Sequence, residues 1–217
     1  PQWDDRTTKG NGDYRIDSGG VFELEYGTDT SLPFSSSLAV SAMREQLGDV
    51  TYSAKGGITY KPSDRLSFDL DFIYRDTNNW LIHLDGSLLG AYNAKHWQPS
   101  IAAELFITSK QQLRFSMQWV GINADAQSLY SAAAEDDLVQ VTNGISSADF
   151  DFTISRLTAQ IRYRWELAPL SDLFVVYTIG SNLPNRQDDG FGNLFRDSLT
   201  DRAVDRLVIK FRYRLNY

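Results

Sequence analysis

The stretch that decides the fold runs from Asp205 to Tyr217: Asp-Arg-Leu-Val-Ile-Lys-Phe-Arg-Tyr-Arg-Leu-Asn-Tyr. Asp205, Leu207, Ile209, Phe211, Tyr213, Leu215 and Tyr217 alternate with Arg206, Val208, Lys210, Arg212, Arg214 and Asn216. Successive side chains of a strand point to opposite faces, so this period of two makes one greasy face and one cationic face. A helix would scatter both sets around its axis. The same pattern recurs upstream. Leu157, Ala159, Ile161, Tyr163, Trp165 and Leu167 alternate with Arg156, Thr158, Gln160, Arg162, Arg164 and Glu166. Leu113, Phe115, Met117 and Trp119 alternate with Arg114, Ser116 and Gln118, and Leu66, Phe68, Leu70, Phe72 and Tyr74 with Ser67, Asp69 and Asp71. The runs Trp97 to Thr108, Val50 to Tyr60, Phe34 to Met43, Val21 to Tyr26 and Leu173 to Ile179 complete the set. The pattern predicts about nine or ten antiparallel strands.

The connections are unequal. Lys61-Pro62-Ser63-Asp64, Ser109-Lys110-Gln111 and Ala168-Pro169-Leu170-Ser171-Asp172 read as tight turns, where Pro fixes φ and Ser or Asp bonds locally to the backbone. Asp76 to Lys95, Asn123 to Asp149 and Ser181 to Arg202 read as long polar loops. Counted back from Tyr217, the short turns fall at one end of the sheet and the long loops at the other. Outer-membrane barrels show that asymmetry.

Composition narrows the classes. In 217 residues there are 21 Lys and Arg against 28 Asp and Glu, a net charge of −7, so the electrostatic footprint of a nucleic-acid binder is missing. With no cysteine, disulfide scaffolds, thiolate zinc sites and cysteine nucleophiles are excluded together. No apolar run is long enough for a membrane-spanning helix. The mean hydropathy of −0.35 does not exclude a spanning barrel, whose strands present only alternate residues to lipid. The opening Pro1-Gln2-Trp3 carries neither an initiator Met nor a signal-peptide apolar region, which reads as a mature or truncated polypeptide.

The reading is all-β: residues 1–217 form a single antiparallel transmembrane β-barrel region, the C-terminal portion of a larger barrel. A soluble sandwich or lipocalin-type barrel also alternates faces. Long strands, aromatics near strand ends (Tyr163, Trp165, Tyr213, Tyr217), an aromatic last residue and the loop asymmetry favour lipid. Leu157, Ile161, Tyr163, Trp165, Leu207, Ile209, Phe211, Tyr213 and Leu215 are then expected to face acyl chains.

Phe211, Tyr213, Leu215 and Tyr217, at alternate positions with an aromatic last, resemble the signal by which bacterial outer-membrane barrels are recognised for assembly, without its frequent upstream glycine. Trp3-Asp4-Asp5-Arg6-Thr7-Thr8-Lys9-Gly10, the stretch from Gln112 to Gly121 and the stretch from Arg162 to Tyr177 resemble the C-terminal barrel region of bacterial proteins that carry a family-nine-type carbohydrate-binding module ahead of an outer-membrane region of uncharacterised function. The resemblance implies an outer-membrane location, contact with lipid and lipopolysaccharide, handling by the outer-membrane assembly machinery, and upstream strands or a protein partner completing the barrel.

Several constellations are candidate sites. His83 and His96 lack metal-ligand spacing, and no Gly-x-Ser-x-Gly elbow accompanies them, so an outer-membrane hydrolase is the weaker alternative. The acidic groups Glu135-Asp136-Asp137 and Asp188-Asp189 fit no EF-hand loop and read as solvated charge, with divalent bridging to lipopolysaccharide as the specific alternative. Trp80, Tyr92, Tyr130, Phe191 and Phe195 read as loop aromatics able to stack on sugars or on each other, and Gly190-Phe191-Gly192 as a flexible tip without the Lys-Ser/Thr that grips phosphate. The polar-face ladder is the main candidate. Arg162, Arg164, Arg206, Lys210, Arg212 and Arg214, set against Glu23, Glu25, Asp69, Asp71 and Glu104, would line a lumen. They form either an anion-attracting constriction or a wall cross-linked by ion pairs, and the similar numbers of the two signs favour the second. The expected function is a non-enzymatic passage or anchor in the outer membrane, without metal, cofactor or nucleic acid. A soluble carbohydrate-binding sandwich is a further alternative.

Overall fold

The computed structural model describes residues 2–16, 18–132, 137–142, 144–184 and 190–215. Strands β1 (Gln2–Asp4) and β2 (Tyr14–Ile16) form a small antiparallel pair. The main sheet contains β3 (Val21–Gly27), β4 (Phe34–Arg44), β5 (Val50–Ser63), β6 (Leu66–Asp85), β7 (Leu88–Thr108), β8 (Gln111–Ser131), β9 (Val139–Gln140), β10 (Phe152–Ala168), β11 (Ser171–Pro184) and β12 (Val204–Arg212). One helix, α1 (Phe191–Thr200), lies between β11 and β12. All nine period-two runs are therefore strands of one sheet, ordered β3-β4-β5-β6-β7-β8-β10-β11-β12 with β9 beside β8, and every pair is antiparallel. Strands β3 and β12 are its two edges, and they do not pair with each other. The sheet is open, not closed into the barrel expected from the sequence.

Register decides what each face carries, because directly opposed residues share a face. One row reads Leu207, Tyr177, Ile161, Phe115, Ala103, Phe68, Tyr60 and Phe34 across eight strands. The next row reads Arg206, Thr178, Gln160, Ser116, Ala102, Asp69, Thr59 and Ser35. A one-residue slip in any strand would mix the two, so the alternation and the register enforce each other.

The expected loop from Asp76 to Lys95 is instead the far half of the β6–β7 hairpin. These strands have 20 and 21 residues and turn on Gly86-Ser87, where Gly86 supplies a positive φ of 51° at the first turn position. Likewise β8 continues to Ser131, and the segment from Ser181 to Arg202 contains the end of β11 and α1.

Those extensions build the buried cores. On the greasy face, Tyr14 packs with Leu81, Leu89, Ala91 and Ala132, and α1 covers Trp119 and Leu157 through Leu194, Phe191 and Phe195. On the opposite face, Tyr92, Ala94, Ala124 and Ala126 pack with Trp80, Ile82, Phe150 and Phe152.

Candidate functional site

Toward the short-turn end the greasy face has no covering layer among the described residues. Ile161 is 45% exposed, Leu207 60%, Ile209 65%, Phe211 58%, Phe68 44% and Leu24 61%. On β6 the apolar set from Leu66 to Tyr74 spans about 27 Å along the strand at ~3.4 Å per residue. Nine strands spaced ~4.8 Å apart make the band about 38 Å wide, so its face approaches ~1,000 Å². The largest apolar patch on a soluble monomer is about 300–600 Å². Trp97 packs edge-on to Phe72 and Tyr74, with ring centroids 5.1 and 5.2 Å away, forming an aromatic border where the band meets the long-loop end.

Most residues expected to face lipid lie in this band, with three exceptions. Leu157 is buried under α1, a correction that follows from the helix lying over that end of β10. Tyr213 and Leu215 are exposed but follow the end of β12 at Arg212. Tyr217, the last residue of the expected assembly signal, lies outside the described residues, as do Glu135, Asp136, Asp188 and Asp189.

The polar face is the hollow one. A depression of about 320 Å³ there is lined by Ser67 and Asp69 of β6, Glu104 of β7, Arg114 and Ser116 of β8, and Gln160 and Arg162 of β10. The sheet sorts the charge ladder by sign. Arg162 and Arg164 lie on β10 and Arg206, Lys210 and Arg212 on β12, whereas Glu23 and Glu25 lie on β3, Asp69 and Asp71 on β6 and Glu104 on β7. The two sets therefore do not pair with each other among the described residues. Glu104 accepts from Arg114 Nη2 at 2.7 Å and from its Nε at 2.8 Å, and Glu23 meets Lys55 at 3.5 Å. Asp69 accepts from Thr59 at 2.7 Å and Asp71 from Ser100 at 3.3 Å. Arg214 follows β12, and its backbone N–H donates to Ser171 Oγ at 3.1 Å.

The carboxylate that does gather cations was not singled out in the sequence. Asp172, its side chain 1% exposed, accepts from Arg164 Nη2 at 2.9 Å and from Arg212. It ties β10, β11 and β12 together at the short-turn end. Its position just after the Pro169-Leu170 turn made it read as a turn residue. No sequence signal marks it, because the pairing that sets Asp172 directly opposite Arg212 is fixed only by strand register.

The long-loop end is knit by specific polar contacts. Trp119 Nε1 donates to Ser155 Oγ at 2.9 Å, and Ser155 Oγ donates to Leu194 O at 3.0 Å, so a buried hydroxyl fastens α1 to the sheet. In the N-terminal hairpin Tyr14 Oη donates to Gln46 Oε1 at 2.6 Å. Burial, reinforced by the nearby Asp4 carboxylate, pushes the Tyr14 phenol up to about 12. Burial also acts to raise Asp4, but hydrogen bonds from Thr7, Arg6 and Gln46 outweigh it and hold the carboxyl below its ordinary value.

The two histidines lie on opposite faces. His83 is paired in register with Leu89 on the greasy side, and His96 alternates with Ala94 and Gln98 on the hollow side. His83 Nε2 donates to Gly86 O at 2.9 Å, and His96 packs on Trp80 with ring centroids 5.6 Å apart. They therefore do not share one site. The aromatics expected in loops are packed instead: Tyr92 is 1% exposed, and Phe191 and Phe195 stand edge-on to Trp119 with centroids at 6.3 and 5.4 Å. Gly190 is the N-cap of α1 and not a free tip. Among the described residues no group of three or more His, Asp or Glu is placed to hold a metal ion.

These observations define the class: an antiparallel all-β chain whose long sheet is greasy on one exposed face and charged on the other, hollow face. The family model for a domain of unknown function, DUF5916, matches residues 9–217, and the chain belongs to that family. No curated protein and no solved structure matches it.

Proposed function

We propose that this chain is part of the wall of a bacterial outer-membrane β-barrel, with the greasy face toward acyl chains and the hollow polar face toward water, serving as a passage or as an anchor for partners and not as an enzyme. The observation that carries the reading is the inversion of the two faces. A soluble sandwich or barrel turns its apolar side inward and its charges outward. Here the polar side is the hollow one, and the apolar side is exposed on seven of the nine strands and half-buried on β8 and β11. A tilt of about 40° projects a ~27 Å strand segment to about 21 Å of height, close to the ~25 Å apolar band of such barrels. The aromatic border at Trp97, Phe72 and Tyr74 fits an interfacial girdle.

In hydrocarbon the unpaired backbone of β3 and β12 must find partners, either further strands of the same barrel or another chain. The sequence resemblance to proteins with a family-nine-type carbohydrate-binding module suggests that a sugar-binding part precedes the barrel. Lipid and lipopolysaccharide contact the outside, and assembly uses the outer-membrane machinery.

Fractionation tests the location: the protein should stay with outer membranes through alkaline and urea washes and be released by detergent. Recovery in the soluble fraction would refute the proposal. Planar bilayers then separate the two versions. A passage conducts, and Arg212→Glu alters its ion selectivity. An anchor stays silent and co-purifies with a stable partner.

A further inference from the structure

We propose that Arg114, Arg162 and Arg164 form a receiving site for the oxyanion group of a small soluble polyanion. The proposal rests on the reading above only in taking the hollow face to be wet. Register sets Arg162 of β10 directly opposite Arg114 of β8, with Arg164 two residues along on the same face. Like charges directly opposed across strands destabilise a sheet, so this juxtaposition asks for an anion. The three guanidinium groups line one depression of about 410 Å³, shared with Phe106, Gln112 and Phe174. That volume suits a small molecule.

The outer two arginines are already aimed. Arg114 is held by Glu104 at 2.7 Å, and Arg164 is held by Asp172 at 2.9 Å and lies over the Phe174 ring, 5.9 Å from its centroid. Arg162, between them, has only the Gln160 side-chain oxygen at 2.9 Å and no carboxylate among the described residues. Its remaining N–H donors are free to take a second acceptor. A planar fork of donors matches carboxylate and phosphate oxygens in pairs, which a lysine cannot do. Arg206 and Lys210, on β12 of the same wall, form no ion pair among the described residues and add positive potential that draws an anion toward the depression.

The test is calorimetric titration of the detergent-purified protein with inorganic pyrophosphate, with citrate, and with micelles containing a phosphorylated lipid. Saturable binding of a soluble anion is expected, weakened at least tenfold by Arg162→Gln and less than threefold by Arg206→Gln. If the Arg162→Gln protein is unfolded by circular dichroism, Arg162→Lys replaces it. That variant keeps the charge and loses the fork, and it should still weaken binding by threefold or more. Equal weakening at Arg162 and Arg206 would mean diffuse charge only and overturn the site, as would binding of the lipid phosphate alone or no saturable binding. Vesicle insertion measured on the same sample separates the two proposals. A protein that inserts without binding refutes the site, and one that binds without inserting refutes only the membrane reading.

Discussion

Replacing Ile161 by arginine tests the environment of the greasy face directly. Ile161 lies on β10, four residues from Trp165 toward the short turn and four from Leu157, where α1 begins to cover the strand. At ~3.4 Å per residue each limit is about 14 Å away along the strand, so the residue sits near the middle of the uncovered band. In hydrocarbon an arginine at mid-depth of a barrel's outer face costs about 2–4 kcal/mol, falling to about 0–1 near the interface. Leu167, 40% exposed at the short-turn end of the same strand, supplies the shallow comparison. If water bathed this face, Ile161→Arg at a position 45% exposed would change stability by only about 0.5 kcal/mol either way. The assay is equilibrium unfolding by guanidinium of the protein folded into phosphatidylcholine vesicles, followed by tryptophan fluorescence. Ile161→Arg should lower the folded-to-unfolded ratio about 100-fold, corresponding to ~3 kcal/mol, with Leu167→Arg shifting it less than tenfold. Equal, small effects at both positions would refute the membrane orientation.

Four further outcomes are expected. Ser155→Ala leaves the buried Trp119 N–H without its acceptor and should cost about 1–3 kcal/mol, read as easier proteolysis between 190 and 203; resistance equal to the parent would show that the hydroxyl does not fasten α1. Because the Tyr14 phenol is raised in the folded state, the hairpin keeps its full stability below the ordinary tyrosine value near 10 and loses it as pH rises toward about 12. Tyrosinate absorbance should show several late-titrating groups, Tyr92 among them, of which Tyr14→Phe removes the one near 12. Asp172→Asn leaves Arg164 and Arg212 without their carboxylate, so amide exchange at Lys210 and Arg212 should accelerate, and unchanged protection would refute the clamp. Since the chain has no cysteine, Leu24→Cys with Ile209→Cys tests whether the sheet edges meet; no disulfide is expected, and efficient cross-linking would show direct closure.

The band was legible because each of its strands separates an apolar from a polar environment, and that separation writes a period of two into the sequence. Legibility failed where the period breaks. In the β6–β7 hairpin the register shifts between Thr77 and Trp80 and again between His83 and Asp85, so alternation lapses although pairing continues. Both faces are also packed there, one under Tyr14 and the other under Phe150 and Phe152, which removes the polar half of the signal. Helix α1 had a readable signature, since Phe191, Leu194, Phe195, Ser198 and Leu199 follow helical spacing, but a short amphipathic segment between Gly-rich and Asp-rich stretches reads as a loop. The ladder's composition was legible and its pairing was not. Which carboxylate meets which arginine depends on strand order, and that order puts most cations and most acids on different parts of the sheet.

The open edges give this arrangement a directional consequence. The sheet path contains nine strands, each antiparallel to its neighbours, so β3 and β12 run in the same direction. Joining them directly would create one parallel pair in an otherwise antiparallel wall. Inserting an odd number of strands removes that exception and returns an even total, the rule for bacterial single-chain barrels. In the proposed barrel the same insertion would set how far around the wall the arginines of β10 and β12 stand from the acids of β3, β6 and β7.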